Sequence, residues 1–209
     1  MAIDVGALRL CLVTDRRLGR GRALAEIVAA AVRGGATMVQ LREKEATTRA
    51  FLEEARALKA MLAPLSVSFV VNDRLDIALA VDADGLHVGQ DDMPVAEARR
   101  LLGPDKIVGL SVTDARQARA ADAAAADYLG VGPIYQQQTK DDASPPLGIE
   151  GLRAIRGLTQ KPIVAIGGLT PDNSAPVLAA GADGFAVVSA IVAADDPEAA
   201  ARRFARLFG

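Results

Sequence analysis

Polar residues interrupt the aliphatic runs of this 209-residue chain at only a few places, and those places are where chemistry can be done. In Val39-Gln40-Leu41-Arg42-Glu43-Lys44, strand alternation would put Gln40, Arg42 and Lys44 on one side. An amide and two cations on one side suit an anionic group. A solvated strand end would give the same pattern, but Gln40 falls inside the run, and a buried amide needs partners. Asn72-Asp73 and Gln90-Asp91-Asp92 close two further runs. Adjacent strands lie about 4.8 Å apart, so carboxylates just past two of them can converge on one hard cation. Oxygen ligands, with one histidine in the whole chain, favour Mg²⁺ over zinc. Spacing alone does not separate Asp91 from Asp92, and Asp73 could instead cap a helix or pair with Arg74. Gly167-Gly168, just ahead of Thr170-Pro171, and Ser189 after the last run have the composition of a phosphate cradle built from backbone N–H groups. Ser111 ends a fifth run, and Thr139-Lys140 lie on a long loop. His87 reads as a histidine of the core or one standing behind the site, and Tyr135 as a loop anchor.

The elements that must position these residues are short. Aliphatic runs at 8–14, 38–41, 68–72, 85–88, 107–111, 128–131, 162–166 and 184–188 read as strands. Amphipathic stretches separate them, as where Phe51, Leu52, Ala55, Leu58 and Met61 share one helical face. Eight β runs each followed by an α run predict a closed TIM (β/α)8 barrel, an α/β fold, in one domain over 1–209. Every polar interruption then falls at a C-terminal strand end, the face on which such barrels keep their active sites. A repeat supports the count: Gly35-Ala36-Thr37, Asp82-Ala83-Asp84, Ala125-Ala126-Asp127 and Gly181-Ala182-Asp183 each precede an even-numbered strand. Four tandem βαβα units would produce it, and so would a general preference for small residues in αβ turns. A helix is expected from Thr170, with Pro171 at its first position and a bend or break at Pro176.

Bulk composition agrees. Hydrophobic residues make up 51% of the chain and aromatics only 3%, so the core is aliphatic, as suits parallel strands covered on both faces. A net charge of -2 gives no general affinity for nucleic acid or an anionic membrane, and any anion site must concentrate its cations locally. Cys11, flanked by Leu10 and Leu12, reads as a core thiol. The N-terminus lacks a signal-peptide pattern, and the apolar run 61–71 holds a proline and is too short for a bilayer. A cytoplasmic protein is expected.

Read as motifs, Leu12-Val13-Thr14-Asp15, Gln40-Leu41-Arg42-Glu43-Lys44, Val71-Asn72-Asp73-Arg74, Gly85-Leu86-His87-Val88-Gly89-Gln90-Asp91-Asp92, Gly130-Val131-Gly132-Pro133-Ile134-Tyr135, Thr139-Lys140, Ile166-Gly167-Gly168 and Val188-Ser189 closely resemble the thiamine phosphate synthase (thiamine-phosphate pyrophosphorylase) family, in the family's order along nearly the whole chain. The resemblance implies a TIM barrel that joins hydroxymethylpyrimidine pyrophosphate to hydroxyethylthiazole phosphate with Mg²⁺, releasing pyrophosphate. It implies that Gln40, Leu41, Arg42, Glu43, Lys44, Asn72, Ser111 and Lys140 hold the pyrimidine pyrophosphate, with Arg42, Lys44, Ser111 and Lys140 acting in catalysis. Asp73 and, of its pair, Asp92 would bind Mg²⁺, while Gln137, Gln138, Thr139, Gly168, Val188 and Ser189 would hold the thiazole phosphate. Two departures stand out. Gln137 occupies a position where the family pattern has threonine, and Thr113 stands in the region where the related thiazole tautomerases carry a catalytic histidine. An isomerase of that kind, or a non-catalytic barrel that binds thiamine precursors, is the alternative reading. Small phosphorylated substrates are the expected partners, with neither nucleic acid nor membrane, and a homo-oligomer is compatible with the sequence.

Overall fold

The computed structural model describes residues 3–120, 125–136 and 145–209. Eight strands, β1 (Leu10–Val13), β2 (Met38–Leu41), β3 (Ser68–Asn72), β4 (Gly85–Val88), β5 (Ile107–Val112), β6 (Tyr128–Val131), β7 (Ile163–Ile166) and β8 (Gly184–Val187), pair in chain order, all parallel, and close into a barrel. The outer ring includes α1 (Leu24–Arg33), α2 (Thr48–Leu62), α3 (Leu75–Ala80), α4 (Val95–Leu102), α5 (Ala115–Arg119), α6 (Gly148–Arg156), α7 (Ala175–Ala179), α8 (Ser189–Val192) and α9 (Pro197–Ala205). β1 is shorter than the run at 8–14 because Val5–Leu8 forms a 3-10 turn, capped where the Asp4 carboxylate accepts from the Gly6 amide.

Alternation sorts the strand residues into two cores. Leu10, Leu12, Val39, Leu41, Val71, Leu86, Val108, Leu129, Ala165 and Phe185 face outward and pack beneath the helices. Cys11, Val13, Met38, Val70, Tyr128, Val164 and Ala186 fill the barrel interior. Helix ends follow local rules: Thr47 caps α2 by accepting from the Ala50 amide, and Asp196 caps α9 by accepting from the Ala199 amide.

The four small-residue triads do one job. Thr37, Asp84, Asp127 and Asp183 each donate their own amide to the carbonyl of an odd-numbered strand's residue: Leu10, Phe69, Val108 and Ile163. The same four side chains accept the amides of those residues, at 3.1, 2.8, 2.7 and 2.8 Å. Each aspartate also meets a cation from the helix that leads into the same odd-numbered strand: Lys59 of α2 on Asp84, Arg99 of α4 on Asp127 and Arg156 of α6 on Asp183. The recurrence therefore reflects four equivalent βαβα units rather than a general taste for small turn residues.

One expected element differs. No helix begins at Thr170; residues 170–174 form turns, and α7 starts at Ala175 with Pro176 in its first turn. A helix running from Thr170 would need the amide that Pro176 lacks, whereas the first turn leaves that amide unused.

Candidate active site

The C-terminal strand ends collect two groups of residues. On the first side, Gln40 points into the barrel and is buried, and its Nε2 donates to Asn72 Oδ1 at 2.7 Å across the β2–β3 step. This bond fixes both amides and leaves the Asn72 amino group as a donor near the mouth. β2 ends at Leu41, so Arg42 and Lys44 are not placed by strand alternation but by their own loop. Thr14 Oγ1 clamps that loop, accepting from the Arg42 amide at 2.9 Å and donating to the Arg42 carbonyl at 3.2 Å. The Arg42 guanidinium lies 3.3 Å from buried Asp15, while the Lys44 ammonium lies 3.9 Å from Asp73. Glu43 organises the turn between them. Its Oε1 accepts the amides of Lys44, Glu45 and Ala46, and Arg16 pairs with its Oε2. Burial opposes its ionisation, but these bonds outweigh burial and hold it below the usual carboxylate range. The Leu41 side chain faces the helices with no exposure, so any contact it makes at the mouth runs through its backbone.

Asp73 sits in a left-handed conformation, φ 62°, with its amide donating to the His87 carbonyl at 2.8 Å. The Asp92 carboxyl stands beside its own. Burial, then the Asp92 carboxylate, push Asp73 up to about 6 against the pull of Lys44 and Arg42. It does not cap α3, and Arg74 pairs instead with Asp76. Asp92 is held by its own turn, its Oδ2 accepting from the Gly89 amide at 2.7 Å, which aims it at Asp73. Asp91 is exposed and belongs to neither arrangement. Two carboxyls that repel each other beside a lysine and an arginine form a site that a divalent cation carrying phosphate would satisfy, since Mg²⁺ takes one or two carboxylates and completes its shell with phosphate and water.

On the opposite side, Leu18, Gln136, Ile166, Gly167, Gly168, Val188 and Ser189 line a cavity of about 360 Å³. Gly167 and Gly168 have φ of 100° and 65°, and a Cβ on Gly168 would come within 2.6 Å of the Gln136 carbonyl. Only glycine fits there. Asn173 pins this turn by donating to the Gly168 carbonyl, and the Tyr135 hydroxyl donates to the Asn173 carbonyl, so Tyr135 does anchor the loop. Val188 packs at the rim of the interior and Ser189 is exposed at the start of α8. Ser111, half-buried on β5, lies between the two groups and bonds to His87. Thr113 is tied to Gln117 instead, with its amide and hydroxyl both donating to Oε1. Gln137, Gln138, Thr139 and Lys140 lie outside the described residues. Sequence reasoning assigned no task to Asp15, which steadies Arg42; its place directly after β1, at the same mouth, was the available signal.

Known proteins resemble this chain in sequence and in fold. A family model described as thiamine monophosphate synthase matches residues 10–191. A thiamine-phosphate synthase of Chloroflexus aurantiacus is 56% identical over 199 residues, covering 95% of this chain and 92% of its own. One of Moorella thermoacetica is 54% identical, covering 93% and 92%. The solved thiamine phosphate pyrophosphorylase of Pyrococcus furiosus superimposes with a TM-score of 0.89 at 40% identity, over 97% of this chain and 96% of that one. With its family match, its relatives and its barrel in agreement over nearly its full length, this chain belongs to the thiamine monophosphate synthase family of enzymes.

Proposed function

We propose that this chain, as one barrel domain over 1–209, joins hydroxymethylpyrimidine pyrophosphate to hydroxyethylthiazole phosphate, forming thiamine phosphate and releasing pyrophosphate. The observation that carries the reading is the pairing of Asp73 and Asp92 beside Lys44 and Arg42 on one side of the mouth, opposite a glycine-walled cavity on the other. The first suits a pyrophosphate with its metal, and the second suits a compact phosphate ester. A cytoplasmic setting belongs to the same proposal, supported by a lone buried thiol in place of a disulfide framework.

In this reading the Gln40–Asn72 amide pair orients the pyrimidine, and Arg42, Lys44 and Ser111 contact the pyrophosphate. Asp73 and Asp92 would hold Mg²⁺, which when bound would supply Lewis-acid neutralisation of the leaving group. As the C–O bond to pyrophosphate breaks, Arg42 and Lys44 meet the charge gathering on the departing oxygens in an arrangement already set by Asp15 and the Glu43 turn. The pyrimidine's own amino group feeds electrons into the methylene cation, and the thiazole nitrogen, held near it by the phosphate cavity, forms the new C–N bond. No protein base is needed. Lys140 is proposed to reach the pyrophosphate as well, and Gln137, Gln138 and Thr139 the thiazole phosphate. These assignments rest on the family resemblance.

The test is pyrophosphate release with both substrates and Mg²⁺, repeated with Asp92→Ala. Release from the wild type that needs both substrates, and a fall of roughly 10²–10³ in the variant, are expected. Turnover of a thiazole substrate alone in EDTA would favour an isomerase, and tight binding of both substrates without release a non-catalytic barrel.

A further inference from the structure

Inside the barrel, below the mouth, lies a hydrogen-bonded chain that the reaction as described does not use. The Tyr128 hydroxyl is 2.9 Å from His87 Nδ1, and His87 Nε2 is 2.9 Å from Ser111 Oγ. Tyr128 and His87 are both buried. Space for the pair is made by glycines on the neighbouring strands. A Cβ on Gly109 would lie 2.3 Å from Tyr128 Cζ and 2.5 Å from His87 Nδ1, and one on Gly130 would lie 2.8 Å from His87 Cε1.

The direction of this chain follows from its far end. Tyr128 lies among Cys11, Val13, Met38, Val70 and Val164, and its only hydrogen-bond partner among the described residues is His87 Nδ1. Burial raises the phenol well above its ordinary pKa, so its proton stays on the oxygen. A buried O–H with no acceptor is costly, and Nδ1 is the acceptor within reach. An accepting Nδ1 carries no hydrogen, so in the neutral ring the hydrogen sits on Nε2. Nε2–H then donates to Ser111 Oγ, which leaves the serine's own hydrogen free to turn toward the mouth. The opposite tautomer would leave the phenol proton without an acceptor and would draw the serine hydrogen inward.

We propose that Tyr128 is a positioning residue: through His87 it orients the Ser111 hydroxyl as a hydrogen-bond donor to the pyrophosphate-bearing substrate. This rests on the reading above in which Ser111 touches that substrate, and it assigns work to a phenol that does not reach the mouth itself.

The single histidine makes the tautomer directly readable. In a two-bond ¹H–¹⁵N correlation spectrum of the ¹⁵N-labelled, ligand-free protein, the wild type is expected to show the Nε2–H pattern alone. Tyr128→Phe should shift that signal toward a tautomer mixture and slow pyrophosphate release about tenfold, the scale of one hydrogen bond. In a Ser111→Ala background, the same substitution should change the rate less than twofold, because the hydroxyl it orients is gone. An Nδ1–H pattern in the wild type, unchanged turnover in Tyr128→Phe, or equal losses in both backgrounds would each overturn the proposal. A wild type with the Nε2–H pattern but no pyrophosphate release would instead overturn the proposed function, leaving the hydrogen-bond direction supported by its own measurement.

Discussion

Replacing Asp127 by alanine removes one of the four side chains that close the floor of the barrel. Its Oδ2 accepts the amide of Val108, a residue with no solvent exposure, at 2.7 Å and also pairs with Arg99. Without it, the Val108 amide has no acceptor and no access to water, a loss of about 1–3 kcal/mol. Arg99 keeps the carbonyls of Gly103 and Lys106 as partners and is partly exposed, so its share is small, about 0.5–1 kcal/mol. The expected total is about 1.5–4 kcal/mol, read as a lower urea midpoint at unchanged slope, followed by circular dichroism. Asp127→Asn separates the two contributions, since its amide oxygen still accepts from Val108 and only the charge is lost; about 1 kcal/mol is expected. Asp172→Ala, which breaks an exposed surface pair with Arg203, serves as the control, at about 0.5 kcal/mol or less. If Asp127→Ala cost no more than Asp172→Ala, the repeated triads would not be closing the barrel and the account of the four-unit repeat would fail.

Two further outcomes are expected. Burial pulls His87 down to about 4, against a weaker opposing pull from Asp92, whereas in the unfolded chain its imidazole titrates near 6.5. The unfolded state therefore binds the proton first, so this group's contribution is absent above about pH 6.5 and destabilises by up to about 3 kcal/mol as pH falls toward 4; urea midpoints across that range should show the loss, and His87→Gln should lack this part of it. Gly168→Ala forces a side chain into a left-handed turn against the Gln136 carbonyl, at about 1–3 kcal/mol of strain. Its KM for the thiazole phosphate should rise while that for the pyrimidine pyrophosphate stays level, and equal rises in both would argue against two separate subsites.

Periodicity and composition were enough for the barrel, because each strand buries both faces and so reads as an uninterrupted aliphatic run, bounded by amphipathic helices. They were enough, too, to bring Gln40, Asn72, Asp73, Ser111, Gly167 and Gly168 to one mouth, since parallel strands put all their C-terminal ends on the same face. Where the strand stopped, that reasoning stopped. Alternation put Arg42 and Lys44 on one side, but β2 ends at Leu41, and a clamp from Thr14, a turn built on Glu43 and pairings with Asp15 and Asp73 set their directions. Spacing left Asp91 and Asp92 equivalent; only a hydrogen bond from the Gly89 amide, made in the folded turn, aims Asp92 at Asp73. The repeat was visible as small residues and aspartates, but not its purpose, because each aspartate's partner is the amide of a different strand 15 to 20 residues away. His87 and Tyr128 lie 41 residues apart, and nothing local to either foretells the bond between them. What the sequence determined by itself was the set of residues that share a face, because that follows from local geometry and burial. Which atoms point at which was decided only when the barrel closed, because those contacts join strands that are remote along the chain.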